Sequence, residues 1–406
     1  MRAVIAPGAA RGTVAAPPSK SMAHRLLICA GLAEGESLIT HVDPSEDILA
    51  TLDCLRALGA EAVWEKDAVR LRGCDPARAD SAVLPCRESG STLRFMIPLA
   101  LLSGREMQLQ GSETLMTRPL GIYEDICRAQ GLRFEREGRA LRVAGRLAPG
   151  RYCVPGNISS QFISGLLFAL PLLAEDSRIE LCPPVESRPY LDMTLEALRA
   201  FGVGADWSGE NTLRVPGGSR YRAREAAVEG DYSNAAFFEA LNCAGGGVTV
   251  TGLRQDSLQG DRVYREAFDR LRTGMATVDV TDCPDLAPVL FTVAALCHGG
   301  IFTGTRRLRF KESDRGTVMA GELAKFGITL RQEENRITVC PGEPRTPREP
   351  LDSHNDHRIA MALSVLCTRT GGEINGAEAV RKSLPDYWRR LKELGVEVQT
   401  DGMDQP

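Results

Sequence analysis

The sequence predicts an α/β protein of two domains built from six repeats, three in each half, with helices buried inside the sheets. The first observation is a short polar cluster that opens an apolar run six times, at Lys20-Ser21, Ser89-Gly90-Ser91, Ser159-Ser160-Gln161, Asp231-Tyr232-Ser233, Pro284-Asp285 and Asp356-His357-Arg358. With Ser21, Gly90, Ser160, Ser233, Leu286 and His357 as markers, the successive gaps are 69, 70, 73, 53 and 71 positions. The second is a charged amphipathic stretch that ends in glycine at Gly59, Gly131, Gly202, Gly274, Gly327 and Gly395, with gaps of 72, 71, 72, 53 and 68. Two independent signals that share a step and a shortened unit define a repeat. The third is length: 406 residues exceed what one core organises, so two domains of roughly 200 residues each are expected.

The elements follow in order. In the first repeat Pro17 and Pro18 stiffen the entry to a helix whose apolar face carries Met22, Leu26 and Cys29. In the third, 151–154 alternates as a strand, Pro155-Gly156 turns, and 161–174 is apolar all round, the mark of a core helix. A strand at 178–182 follows, then a helix over 193–201 with Leu195, Leu198 and Phe201 on one face, stopped by Gly202. The fifth repeat has its apolar helix at 286–296, and a second helix is predicted to open at Lys311-Glu312-Ser313-Asp314-Arg315 and run through Met319 and Leu323. The sixth repeats the order with helices at 359–367 and 387–394. The boundary between halves is expected at 225–230, with no low-complexity linker.

Composition narrows the function. The chain is 43% apolar and 25% charged with a net charge of −4 and no basic tail, so the electrostatic footprint of a nucleic-acid binder is missing and none is expected as a partner. The longest apolar stretch, 162–174, is broken by Ser164, Gly165 and Pro171, which argues against a membrane span, and the short apolar start before Pro7-Gly8 against a signal peptide. Twelve cysteines without a CxxC pair read as reduced core residues of a cytoplasmic protein. His354 and His357 have no cysteine or third histidine nearby, so no metal is expected. No glycine precedes a lysine, and neither HExxH nor a dinucleotide glycine motif is present.

The polar clusters are helix starts, where unpaired N–H groups and the positive dipole end favour anions. Lys20, Ser21 and Arg25 collect at one such start, and Ser21 and Arg25, four apart, share a face. Arg118 is placed in a loop. Arg358 sits at a helix start, where a cation opposes the dipole unless an anion is held there. Lys311 and Arg315 are read on one helical face with Glu312 about 100° away, a layout for gripping a phosphate beside an acid or base. Asp285 caps the next helix.

These residues resemble the enolpyruvyl transferase family. The match runs through Pro18-Ser19-Lys20-Ser21 with Arg25, Ser89 to Arg94, Thr117-Arg118-Pro119, Gly156 to Phe162, Ser187-Arg188-Pro189-Tyr190, Asp231-Tyr232-Ser233, Pro284-Asp285, Lys311 to Arg315, Asn355 to Arg358 and Lys382 to Tyr387, nearly the whole chain. The resemblance implies a two-domain inside-out α/β barrel of six βαβαββ-type repeats, three per domain. One domain would comprise 1–14 with 228–406, so that the first strand joins the C-terminal half, and the other 15–227, with a hinge crossed twice near 12–16 and 225–231. It implies transfer of the enolpyruvyl group of phosphoenolpyruvate to the 5-hydroxyl of shikimate 3-phosphate, with phosphate released through a tetrahedral intermediate and no cofactor. Carried over by motif, Lys20, Ser21, Arg25, Ser159, Ser160, Gln161, Ser187, Asp285 and Lys311 would hold shikimate 3-phosphate. Lys20, Gly90, Arg118, Gln161, Arg315, Arg358 and Lys382 would hold phosphoenolpyruvate, and Lys20, Asp285 and Glu312 would be catalytic. The alternative is a UDP-N-acetylglucosamine enolpyruvyl transferase, which typically carries a reactive cysteine before the arginine matching Arg118; no cysteine lies between Cys86 and Cys127. A monomer is expected. The chain departs from many relatives at Glu88-Ser89, beside the glycine, and at Leu308; a carboxylate at Glu88 calls for compensation by Arg87 or Arg94.

Overall fold

A computed structural model describes residues 1–80 and 82–401. They form two compact units, one of Met1–Pro17 with Gly230–Pro406 and one of Pro18–Glu229, each with its own hydrophobic core.

In the unit Pro18–Glu229 the same order appears three times: an inner helix, a strand, an outer helix and a hairpin. The hairpin follows the outer helix. The inner helices are Lys20–Gly31, Gly90–Ala100 and Ser160–Ala169, and the outer ones Glu46–Ala57, Gly121–Ala129 and Arg188–Ala200. Each four-stranded sheet of this unit opens with a parallel pair and continues antiparallel. Arg151–Pro155 runs parallel to Ser177–Cys182, which pairs antiparallel with Thr212–Val215, and that strand with Asp206–Gly209. In the first sheet the parallel partner of Glu36–Thr40 is Glu225–Ala227, so the end of the unit is tied to its beginning.

The inner helices are buried on almost every face, including polar residues of their first two turns such as His24, Arg25 and Arg94. In Ser160–Ala169 only Gln161 falls outside the buried set. This helix packs on Gly90–Ala100 so closely that a Cβ at Gly165 would lie 2.6 Å from the Arg94 carbonyl oxygen and would also collide with the Tyr123 hydroxyl. The same hydroxyl donates toward the Arg94 and Phe162 carbonyls at 2.7 and 3.0 Å.

Met1–Pro17 with Gly230–Pro406 repeats the plan around inner helices Tyr232–Ala240, Ala287–Leu296 and His357–Thr370. Its outer helices are Tyr264–Thr273, Arg315–Lys325 and Tyr387–Glu393. The shortened gap has a structural cause. After Tyr264–Thr273 the chain passes directly to the strand Ala276–Asp279, and the hairpin that follows the outer helix in the first, second, third and fifth repeats is missing; the sheet there is a single parallel pair, Arg11–Ala15 with Gly247–Thr251. In the last sheet Arg2–Ile5 lies between Gly372–Asn375 and Val398–Thr400, antiparallel to both.

The predicted helix limits shift for local reasons. The helix expected at 161–174 ends at Ala169 and tightens into a 3-10 turn at Leu170–Leu172, because Pro171 supplies no N–H and its ring crowds the preceding turn. The one expected at 193–201 starts at Arg188, with Pro189 in the first turn, where an N–H is not needed. The helix expected from Lys311 begins only at Arg315, since Asp314 caps it by accepting from the Thr317 N–H at 3.2 Å. Lys311 and Glu312 therefore precede the helix, and the shared helical face of Lys311 and Arg315 is corrected. Of the six stop glycines, Gly59, Gly131, Gly202, Gly327 and Gly395 have φ between 66° and 108°, whereas Gly274, in the shortened repeat, is extended at φ 167°.

Candidate active site

In Pro18–Glu229 the start of each inner helix is capped by a serine. Ser19 caps the first by accepting from the Met22 N–H, Ser89 caps the second, and Ser159 caps the third. Gln161 joins the second and third, donating to Ser91 Oγ at 2.8 Å and accepting from Arg94 Nη1 at 2.6 Å. Ser160 is buried beside it. Gly90 lies directly beneath the Arg118 guanidinium, leaving no room for a Cβ. Arg118 follows the short helix Glu113–Thr117, in a loop as expected, and its Nε is buried without a hydrogen-bond partner among the described residues.

Lys20 Nζ pairs with Asp47 Oδ2 at 2.8 Å, and the Asp47 backbone carbonyl accepts from Thr92, which ties the lysine to the second inner helix. Arg25 is buried. Its Nη1 donates back to the Ser21 carbonyl at 2.7 Å, Nε to Thr194 Oγ1 at 2.9 Å and Nη2 to the Tyr190 carbonyl at 2.9 Å. Burial pulls the Arg25 guanidinium down to about 10, which leaves it a cation at neutral pH. Ser187, at the start of Arg188–Ala200, is buried with φ 58° and ψ 37°, a left-handed conformation that costs a non-glycine residue energy and marks a constrained position.

In the other unit the helix starts converge on Asp285. This carboxylate receives Arg315 Nη1 at 2.9 Å, Lys311 Nζ at 3.0 Å and Arg358 Nη2 at 3.3 Å. Burial pushes its carboxyl up, but Arg358, Lys311 and Arg315 together outweigh that and hold it well below the ordinary carboxylate range. The anion that steadies Arg358 against its helix dipole is thus a carboxylate of the protein itself. Arg315 is fully buried, with Asp356 at 2.9 Å and Glu312 at 2.7 Å completing its fork. Burial lowers the Lys311 ammonium, and Asp285 opposes that shift. Lys382 Nζ donates to the Asn355 carbonyl at 2.8 Å, beside the start of the helix that carries Arg358.

The six expected residues of this unit, Asp285, Lys311, Glu312, Arg315, Arg358 and Lys382, thus gather around two helix starts. The nine expected in the other, Lys20, Ser21, Arg25, Gly90, Arg118, Ser159, Ser160, Gln161 and Ser187, sit at the starts of its inner and outer helices or in the loops leading into them. The sequence reading passed over Asp47, Thr194 and Asp356 as site residues. Asp47 looks like an ordinary acidic first-turn residue of Glu46–Ala57, and its pairing with Lys20 has no local signal. Asp356 was visible as a cap, but its grip on Arg315 depends on a contact across 41 positions. Arg87 pairs with Glu46 and Asp53, Arg94 holds Gln161, and Glu88 is exposed. Among the described residues no three His, Cys, Asp or Glu side chains group as metal ligands, and no helix is long and apolar enough to cross a membrane.

These features define an α/β protein in which a carboxylate, Asp285, is held ionised among three cationic side chains. A family model described as EPSP synthase (3-phosphoshikimate 1-carboxyvinyltransferase) matches residues 4–391. A 3-phosphoshikimate 1-carboxyvinyltransferase of Clostridium kluyveri is 38% identical over 97% of each chain, and one of Clostridium perfringens is 38% identical over 97% of this chain and 98% of its own. Among solved structures, two of EPSP synthase from Acinetobacter baumannii superpose with TM-scores of 0.77 and 0.80, at 24% and 23% identity, covering 98% and 99% of this chain and 100% of theirs. The chain belongs to the EPSP synthase family.

Proposed function

We infer that this enzyme moves the enolpyruvyl group of phosphoenolpyruvate to the 5-hydroxyl of shikimate 3-phosphate and releases phosphate, a step of the shikimate pathway to aromatic amino acids. The carrying observation is Asp285, an ionised carboxylate held among Arg315, Lys311 and Arg358 with Glu312 alongside. The cations suit the phosphate and carboxylate groups of both substrates, and the carboxylates suit proton transfer.

Lys20, Ser21, Arg25, Ser159, Ser160, Gln161, Ser187, Asp285 and Lys311 are proposed to hold shikimate 3-phosphate. Lys20, Gly90, Arg118, Gln161, Arg315, Arg358 and Lys382 are proposed to hold phosphoenolpyruvate. Protonation of the methylene carbon, assigned to Glu312 with Lys20, leaves positive charge developing at the neighbouring carbon. The 5-hydroxyl attacks there and gives its proton to Asp285. The tetrahedral adduct then loses phosphate and a methyl proton, which returns to Glu312, restoring the double bond. A carboxylate held as low as Asp285 is a weak base while three cations surround it. Incoming anions that engage Lys311 and Arg358 raise its basicity at the moment it is needed.

The same reading includes a monomer in the cytoplasm that binds neither nucleic acid nor membrane. The alternative acceptor, UDP-N-acetylglucosamine, is not favoured. Phosphate release assayed with phosphoenolpyruvate and each acceptor tests the assignment: turnover with shikimate 3-phosphate is expected, and turnover only with the UDP-sugar would refute it.

A further inference from the structure

The turn that leads into His357–Thr370 is tied down by a residue outside the proposed site. Glu322 lies on Arg315–Lys325, the helix that begins with Arg315, and its carboxylate is buried. One oxygen, Oε1, accepts from His354 Nε2 at 3.0 Å, and the other, Oε2, from the Asp352 N–H at 3.1 Å. An ionised carboxylate only accepts, so the histidine carries a hydrogen on Nε2. His354 and Asn355 have φ of 50° and 54°, the left-handed region, which costs a non-glycine residue energy and persists only where the surroundings hold it. The turn is also braced from within, because the His354 N–H donates to Asp352 Oδ1 at 2.6 Å and the Asn355 N–H to Ser353 Oγ at 3.2 Å. Lys325 Nζ lies 3.0 and 2.9 Å from the two Glu322 oxygens and donates to the Pro350 carbonyl at 3.0 Å, securing the end of the helix.

We propose that Glu322 is a positioning residue for phosphoenolpyruvate binding: its hold on Asp352 and His354 keeps the left-handed turn in place, and the turn sets Lys382 and the pairing of Arg315 with Asp356. The inference rests on the assignment of Lys382, Arg315 and Arg358 to phosphoenolpyruvate. The Asn355 carbonyl accepts from Lys382 Nζ at 2.8 Å. Asp356, the next residue, accepts from Arg315 Nε at 2.9 Å and from the Arg358 N–H at 2.9 Å. Relaxation of His354 and Asn355 to ordinary backbone angles would swing that carbonyl away from Lys382 and carry Asp356 with it. Glu322 and Arg315 lie about two turns apart on one helix, so a single rigid element fixes both the arginine and the turn that receives it. Cationic donors bind an anion well only when they are already aimed.

The test is steady-state kinetics at saturating shikimate 3-phosphate on the full-length enzyme. Glu322→Ala frees the turn, and the KM for phosphoenolpyruvate should rise about tenfold with kcat and the Kd for shikimate 3-phosphate little changed. His354→Ala removes one tether at an exposed side chain and should raise the same KM by a smaller factor. Lys325→Ala breaks the ion pair but leaves both tethers, so it should lower the melting temperature and keep the KM at the parent value. A parent-like KM in Glu322→Ala or in His354→Ala overturns the proposal. So does a KM in Lys325→Ala as high as in Glu322→Ala, the mark of a general weakening of the helix. If Glu322→Ala does not fold, His354→Ala decides alone, with Lys325→Ala beside it. Lys382→Ala is the control. If it leaves the KM for phosphoenolpyruvate intact, the assignment of Lys382 falls and the Glu322 inference with it, whereas a raised KM there with silent Glu322 and His354 variants defeats the inference alone.

Discussion

At the scale of single residues, Gly90 is where backbone geometry and ligand chemistry meet. A methyl group there has nowhere to go but into Arg118. Gly90→Ala should displace the Arg118 guanidinium, and the dissociation constant for phosphoenolpyruvate should increase by about tenfold or more while the fold, followed by circular dichroism, is kept. A parent-like constant would show that Arg118 has room to retreat. Asp285 makes a different kind of prediction. In Asp285→Ala, Arg315 keeps Asp356 and Glu312 as partners, so the protein should remain folded. Turnover should drop by roughly 10² to 10⁴, the usual contribution of one general base. Near-parent turnover would remove Asp285 from its role. Arg358 was legible in the sequence because a cation at a helix start needs a reason. Asp47 was not, because an acid at a helix start needs none.

Among elements, the inner helices explain why the repeat could be read at all. A helix buried on every face must be apolar throughout, so its polar opening and its glycine-ended partner stand out against the background. What the sequence could not supply was the contact between one inner helix and the next. Gly165 sits in the middle of an apolar run with no turn to make. Its function appears only where Ser160–Ala169 presses against the Arg94 backbone. Gly165→Ala should force those helices apart and destabilise the protein by about 1–3 kcal/mol, measured by denaturant unfolding. Because Arg94 holds Gln161, the same variant should lose some affinity for both substrates. The charged segment at Lys311 shows the opposite limit. Its residues reach Asp285 as a loop before the helix, since Asp314 is a better cap than Lys311, so the right residues were singled out for a helical face they do not share.

On the scale of the whole molecule, two carboxylates set opposing dependences of stability on pH. Asp285 titrates well below its ordinary 3.8 in the folded protein, so its contribution is present above that value and is lost as the pH falls. Asp261 is raised from 3.8 to about 7, so the folded state binds the proton more tightly than the unfolded chain and stability declines as the pH climbs between those values. Asp261→Asn should therefore flatten the loss of stability between pH 4 and 7. Thermal melting across that range checks the sign, and an unchanged slope would contradict it. The sixfold pattern and its short unit were readable from spacing alone, but the missing hairpin behind the 53-residue gap required the strand pairing to be seen.

That pairing also imposes a schedule on synthesis. Arg2–Ile5 leaves the ribosome long before its partners Gly372–Asn375 and Val398–Thr400 are made. At about 5–20 residues per second the leading segment waits on the order of tens of seconds with its strand edges open, while Pro18–Glu229 has every strand it needs well before translation ends. The nascent chain must therefore carry an unpaired β-segment past a finished neighbour, which makes the first fifteen residues the stretch that a holdase chaperone has most reason to cover.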